Sequence, residues 1–188
     1  MKGAVIYKGK YGATCQYAQW LGEDLQISVL DSDTVTRELI SQYDYIIAGG
    51  SVYVGKLLNK NWLLRYADLL KGKKLFLFIV CATPHSDMEK LKTIIRTNIP
   101  EALMDLFDIY FLRGRLIKSQ LSWKDRLVLK MGASFEKDPE KKKAMLQDFD
   151  AVKKENISSL LQAVNTYRNP GEYESAEKSA GGVGVGNK

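Results

Sequence analysis

The chain has 188 residues, 45% of them hydrophobic, with a formal net charge of +6 and a pI near 9.1. That length suits one compact domain with appendages, and the apolar content is ordinary for a globular core. No apolar run approaches the roughly 18 residues that span a bilayer, the apolar part of residues 1–7 is short for a signal peptide, and Cys15 and Cys81 form neither a CxxC pair nor a His/Cys cluster, so the expectation is a cytoplasmic protein without a metal centre.

Residues 3–7 are a continuous apolar run, the mark of a strand buried on both faces. Residues 13–25 carry Tyr17, Trp20, Leu21 and Leu25 at helical spacing. Residues 27–30 read as a short second strand, and Asp33 or Thr34 as the cap of a small helix reaching residue 43. Residues 45–48 form a third strand running into Gly49-Gly50, and residues 57–70 a helix. Residues 75–81 are a long fourth strand, 87–98 a helix capped by Ser86, and 106–112 a fifth strand. This alternation predicts βαβ units, right-handed crossovers and a parallel sheet with helices on both faces. Five strands in this sequence fit a doubly wound α/β sheet of order 2-1-3-4-5; a Rossmann half-domain fits the alternation too, and the loops must separate them.

After the fifth strand the pattern changes. Arg113-Gly114-Arg115 opens an irregular basic stretch. Residues 121–135 interleave Trp123, Leu127, Val128, Leu129 and Met131 with Lys124, Arg126 and Lys130, as in an amphipathic basic helix. Pro139 suits the first position of a last helix, expected to reach residue 167. Residues 1–167 therefore read as one domain carrying a basic helical insertion at 113–138. Residues 168–188 are polar, rich in Ser, Gly and Glu, and read as a disordered tail.

The most informative stretch is Lys8-Gly9-Lys10-Tyr11-Gly12-Ala13-Thr14, between the first strand and its helix. A tight glycine-bearing turn at a helix N-terminus points several backbone N–H groups at one spot, where the helix dipole adds partial positive charge. Thr14 supplies a hydroxyl, and Lys8 and Lys10 can neutralise a dianion. The spacing is neither a Walker loop nor GxGxxG, and suits one terminal phosphate. It resembles the flavodoxin phosphate loop, whose Gly-x-Thr ending is matched by Gly12-Ala13-Thr14. Gly9 and Tyr11 stand where flavodoxins usually carry Ser or Thr, so backbone N–H groups, Thr14 and Lys10 would compensate.

The third strand ends in Ser51-Val52-Tyr53-Val54-Gly55, beside the phosphate loop at the crevice where strand order reverses. Tyr53 is the candidate for stacking on a flat ring, with Val52, Val54 and Gly55 offering backbone groups to its edge. The fourth strand ends in Ala82-Thr83-Pro84-His85, facing the ring from the other side; His85 is the chain's one histidine. The resemblance implies FMN at these three loops and a flavodoxin-like fold. The structural alternative is an ordinary turn, with Tyr53 packing its loop and His85 simply solvated.

Arg113-Gly114-Arg115-Leu116, with Trp123-Lys124-Asp125-Arg126-Leu127, looks like the insertion of the menaquinone-dependent protoporphyrinogen dehydrogenases, and Ser51-Val52-Tyr53 supports the likeness. That resemblance implies electron transfer from a reduced substrate through FMN to a quinone or other acceptor. Arg113, Arg115, Lys124 and Arg126 are then candidates for substrate carboxylates, and Trp123 for apolar contact. A basic amphipathic helix also suits peripheral contact with an anionic membrane; nucleic acid is not expected as a partner. Two rival readings stay open: a flavodoxin-type electron carrier, and a flavin-free binding module of the same fold. Carriers of that type are usually acidic, which this chain is not.

Overall fold

A computed structural model describes residues 1–170. Strand β1 (Gly3–Lys8) leads through a short turn into α1 (Ala13–Leu25), and β2 (Ser28–Asp31) follows. Asp31 then accepts the Asp33 N–H at 2.9 Å to shape a 3-10 turn. Thr36, rather than Asp33 or Thr34, caps α2 (Arg37–Ser41) by accepting the Leu39 N–H at 3.3 Å.

Strand β3 (Tyr45–Tyr53) is longer than its apolar run suggests, and folds back antiparallel as β4 (Lys56–Leu57). The helix expected over residues 57–70 is two pieces, α3 (Lys60–Arg65) and α4 (Ala67–Leu70). They part at Tyr66, whose hydroxyl donates to the Val35 carbonyl at 3.0 Å. β5 (Lys74–Cys81) leads to α5 (Met88–Asn98), capped by Asp87 and not by Ser86: the Asp87 carboxylate accepts the Lys90 N–H at 3.3 Å. A short α6 (Glu101–Met104) precedes β6 (Phe107–Arg113).

Strands β2, β1, β3, β5 and β6 lie side by side in that order, all parallel. Counting only these strands, this is the doubly wound order 2-1-3-4-5 that the alternation predicts, and the fold is flavodoxin-like. Neighbouring residues of β1 serve opposite faces. Val5 packs with Tyr17 and Leu21 of α1; Ile6 packs with Ile40, Leu63 and Leu77 on the other side. Both are fully buried, which is why the strands read as unbroken apolar runs. Parallel pairing also brings every strand's carboxyl end to one edge, where the three loops meet.

The insertion expected at 113–138 runs on to Asp150 because its end pairs back on its start: β7 (Arg115–Leu116), α7 (Trp123–Phe135) and α8 (Pro139–Met145) are followed by β8 (Phe149–Asp150), antiparallel to β7. The single helix expected from 139 to 167 is thus broken, resuming as α9 (Ser158–Arg168). The cause is local. Asp150 accepts the Val152 N–H at 3.0 Å, so a short acidic side chain offers the backbone an alternative to the helix ladder, while Asp148 accepts the Lys118 N–H of the facing segment at 3.1 Å. Arg168 ends α9 by donating to the Leu25 carbonyl at 2.9 Å; the tail reading, beyond Asn169 and Pro170, lies outside the described residues. Among the described residues no helix is long and apolar enough to cross a membrane.

Candidate functional site

The 9–14 loop is built to leave donors and one hydroxyl available. Gly12 is the N-cap of α1 with φ +82° and ψ −22°, left-handed geometry that favours a residue without Cβ. No side chain caps the helix and its first turn holds no acid. The first-turn amides have no acceptors within the helix, and the dipole makes the end partly positive. Thr14 is 1% exposed, and its Oγ1 is buried without a hydrogen-bond partner. Gly9 closes over it: a Cβ there would stand 2.8 Å from Thr14 Cβ and 2.9 Å from Oγ1. A buried hydroxyl without a partner costs about 1–3 kcal/mol, so the loop suits an anion that accepts from it.

The two lysines of the loop have different fates. Lys8 turns to the end of β2, with Nζ 3.1 Å from Asp31 and 2.5 Å from Asp33, and these acids raise its pKa, the Asp33 hydrogen bond first. Lys10 reaches across the crevice to Asp125, with Nζ 2.8 Å from Oδ2 and 3.0 Å from Oδ1. Its Nζ also lies 3.9 Å from the Tyr53 ring centroid. The hydrogen bond to Asp125 raises the Lys10 pKa.

Residues 51–55, read from sequence as a loop, are the end of β3 and the turn of a hairpin. Val54 (φ 49°) and Gly55 (φ 73°) form a two-residue turn with both centres left-handed. Such a φ is strained for a β-branched residue. Buried Asn98 holds the turn: its Nδ2 donates to the Gly55 carbonyl at 2.9 Å, and its Oδ1 accepts the Leu57 N–H at 2.9 Å. Buried Asn59 donates to the Gly49 carbonyl at 3.1 Å. Ser51, Val52 and Tyr53 are all half-buried at this edge.

The loop after β5 is open. Ala82, Pro84 and His85 are exposed and Thr83 is half-buried. Cys81 donates its thiol to the Thr83 carbonyl at 3.8 Å, and burial raises the thiol pKa. The Cys81 carbonyl accepts the Gly114 N–H at 3.0 Å, tying this loop to the start of the insertion.

Helix α7 docks its first turn on the other two loops. Ser122 caps it by accepting the Asp125 N–H at 3.2 Å. Asp125, 6% exposed, takes hydrogen bonds from both Lys10 and the Tyr53 hydroxyl. One carboxylate thus joins the 9–14 loop, the β3 hairpin and the insertion, a junction that reading each segment separately misses. Tyr11 adds a weaker link, its hydroxyl accepting the Ser122 N–H at 3.5 Å.

The basic candidates of the insertion separate. Arg126 donates to the carbonyls of Lys118, Ser119 and Leu121, at 3.0, 3.1 and 3.2 Å, and so braces its own turn. Arg115 pairs with Gln16 and with Asp150, the latter at 3.5 Å. Arg113 lies over the Phe149 ring at 5.7 Å, its carbonyl accepting the Tyr17 hydroxyl at 2.8 Å. Trp123 and Lys124 stand exposed beside Asp125, at the junction of insertion and crevice.

A family model described as a flavodoxin domain matches residues 4–143. Oxidised flavodoxin 1 from Bacillus cereus is similar in structure at 20% identity, over 72% of this chain and 97% of that one, with a TM-score of 0.41. Flavodoxin 2 from the same organism matches at 18% identity over 67% and 91%, TM-score 0.44. A mutant flavodoxin of Fusobacterium nucleatum bound to flavin mononucleotide matches at 14% identity over 52% and 65%, TM-score 0.36. No curated protein matches the chain.

Proposed function

The chain belongs to the flavodoxin-domain family, with FMN as the cofactor that membership implies, and on that premise we propose that it is an FMN-dependent oxidoreductase. Electrons pass from a reduced, carboxylate-bearing substrate of the porphyrinogen class to a quinone. The observation that carries the FMN reading is Thr14, whose buried Oγ1 lacks a partner at the uncapped N-terminus of α1. When bound, FMN supplies the redox chemistry, and the protein supplies position and electrostatics.

The chain's own residues have distinct tasks in this reading. Gly12, Ala13 and Thr14 present N–H and O–H donors to the phosphate, with Gly9 leaving room for Thr14. Tyr53, fixed by its hydrogen bond to Asp125, flanks the ring, and the Ala82–His85 segment borders it from β5. Lys10 balances two anions, since the phosphate and Asp125 compete for one ammonium. Lys124, exposed in the first turn of α7 with Trp123 beside it for an apolar face, is the residue proposed to meet a substrate carboxylate. Arg115 and Arg126 serve the insertion's own structure.

The test has two stages. The purified full chain is given FMN, freed of excess and examined by absorbance; retained flavin bands with quenched fluorescence are expected, and a colourless protein overturns the reading. The loaded protein is then offered porphyrinogen and a quinone without oxygen. Porphyrin fluorescence appearing with quinone consumption supports the substrate class. Quinone-linked flavin turnover without porphyrin reduces the proposal to electron transfer.

A further inference from the structure

Helix α7 buries one face and leaves the opposite one bare. Asp125, Leu129 and Ala133, spaced four apart, turn inward; Asp125 and Ala133 are buried. Trp123, Leu127, Met131 and Phe135, also four apart, turn outward, exposed at 70, 53, 54 and 80%. Val128 lies on the outward side as well. A patch of this kind on one helix face marks an interaction surface, whereas scattered apolar residues do not.

The charges identify the partner. Between residues 121 and 135 the bases are Lys124, Arg126 and Lys130, and the acid is Asp125 alone. Asp125 is turned inward on Lys10 and Tyr53. Lys124 and Lys130 are exposed, and lysine stems can lie along apolar surface while their ammonium groups reach outward. The neighbouring α8 adds exposed Lys142 and Lys143 against the exposed Glu140 of its first turn, a net basic contribution. A second copy presenting the same face would bring like charges together, while a lipid surface of opposite sign accepts both the apolar stripe and its basic flanks.

We propose that the outward face of α7 is a peripheral docking surface for anionic phospholipid bilayers. Trp123, Leu127, Met131 and Phe135 enter the boundary between headgroups and acyl chains, and Lys124 and Lys130 meet lipid phosphates. Because the first turn of α7 holds Lys10 and Tyr53 through Asp125, docking brings the crevice close to the bilayer. The surface is independent of whether a flavin fills that crevice.

The experiment is co-sedimentation of the full chain with phosphatidylglycerol-containing vesicles and with pure phosphatidylcholine vesicles. Binding is expected to the anionic vesicles, weakened by salt, and weak or absent with the neutral ones. The triple variant Leu127→Ser, Met131→Ser, Phe135→Ser is expected to lose at least about tenfold in partitioning, because each change removes a large apolar group from the outward face that docks. A second variant, Lys124→Glu with Lys130→Glu, keeps the apolar stripe and is expected to lose binding to anionic vesicles. Circular dichroism confirms that each variant is folded. No binding to anionic vesicles, undiminished binding by either folded variant, or a wild-type dimer that the triple variant dissolves overturns the proposal, the last by showing that a second copy covers the face. Flavin retention is read separately by absorbance, so failure here is distinct from failure of the FMN reading.

Discussion

At the 9–14 loop a hydroxyl is buried with nothing to donate to; along α7, four large apolar side chains face outward with nothing to cover them. The two regions are incomplete in opposite senses, and each describes its missing partner by that sense. A buried polar atom beside a helix N-terminus calls for an anion. A basic-flanked apolar stripe calls for an amphipathic surface of negative charge. Asp125 is where they meet, because it takes the loop's lysine and the Tyr53 hydroxyl and so anchors the helix. Lys8, two residues before Lys10, is already committed to Asp31 and Asp33, so the contrast extends to neighbouring lysines.

The comparison breaks most severely at Gly9. Gly9→Ala places a Cβ 2.8 Å from Thr14 Cβ, a contact that forces the loop open. FMN affinity, measured by fluorescence quenching, should fall by about a hundredfold, equivalent to roughly 2.7 kcal/mol. Retained affinity would mean that the loop does not need its observed closure. Thr14→Val comes next and is more diagnostic, because its two effects have opposite signs. Removing the orphaned hydroxyl should stabilise the FMN-free protein by about 1 kcal/mol in urea melts. It should also weaken FMN by roughly tenfold.

Asp125→Asn sharpens the contrast between the regions. It removes the charge that Lys10 faces, and should destabilise the FMN-free protein by about 1 kcal/mol. FMN should bind more tightly, since Lys10 is then released to the phosphate; weaker binding would argue against competition. The smallest effect concerns Tyr7. Its hydroxyl donates to Cys15 at 3.2 Å, and that hydrogen bond, with burial, pushes its pKa from 10.0 up to about 12. Folding thus holds the phenol protonated, so its contribution is whole below pH 10.0 and is lost as pH rises towards about 12. Tyr7→Phe should flatten that part of the pH–stability curve, and an unchanged slope would assign it elsewhere.

The buried strands are legible in sequence because a strand covered on both faces must be apolar at every position, as Val5 and Ile6 are. The tight 9–14 turn is legible because its backbone needs glycine, and Gly12 does take a positive φ. Other features depend on partners far away in the chain. Lys10 and Asp125 are 115 residues apart, and neither signals the other. The β3 hairpin is hidden because Val54 occupies a left-handed position that valine disfavours, held there beside the buried amide of Asn98. Residues 139–167 carry a helical pattern, yet the Asp150 side chain takes the Val152 amide where the chain runs through β8. Hydrophobic periodicity has no term for that competition.

The most direct test is equilibrium binding of FMN against riboflavin, which has the same ring and no phosphate. The account predicts a preference for FMN of at least about a hundredfold, reduced by roughly tenfold in Thr14→Val. Equal binding of the two flavins would show that the 9–14 loop holds no phosphate, and would contradict the account.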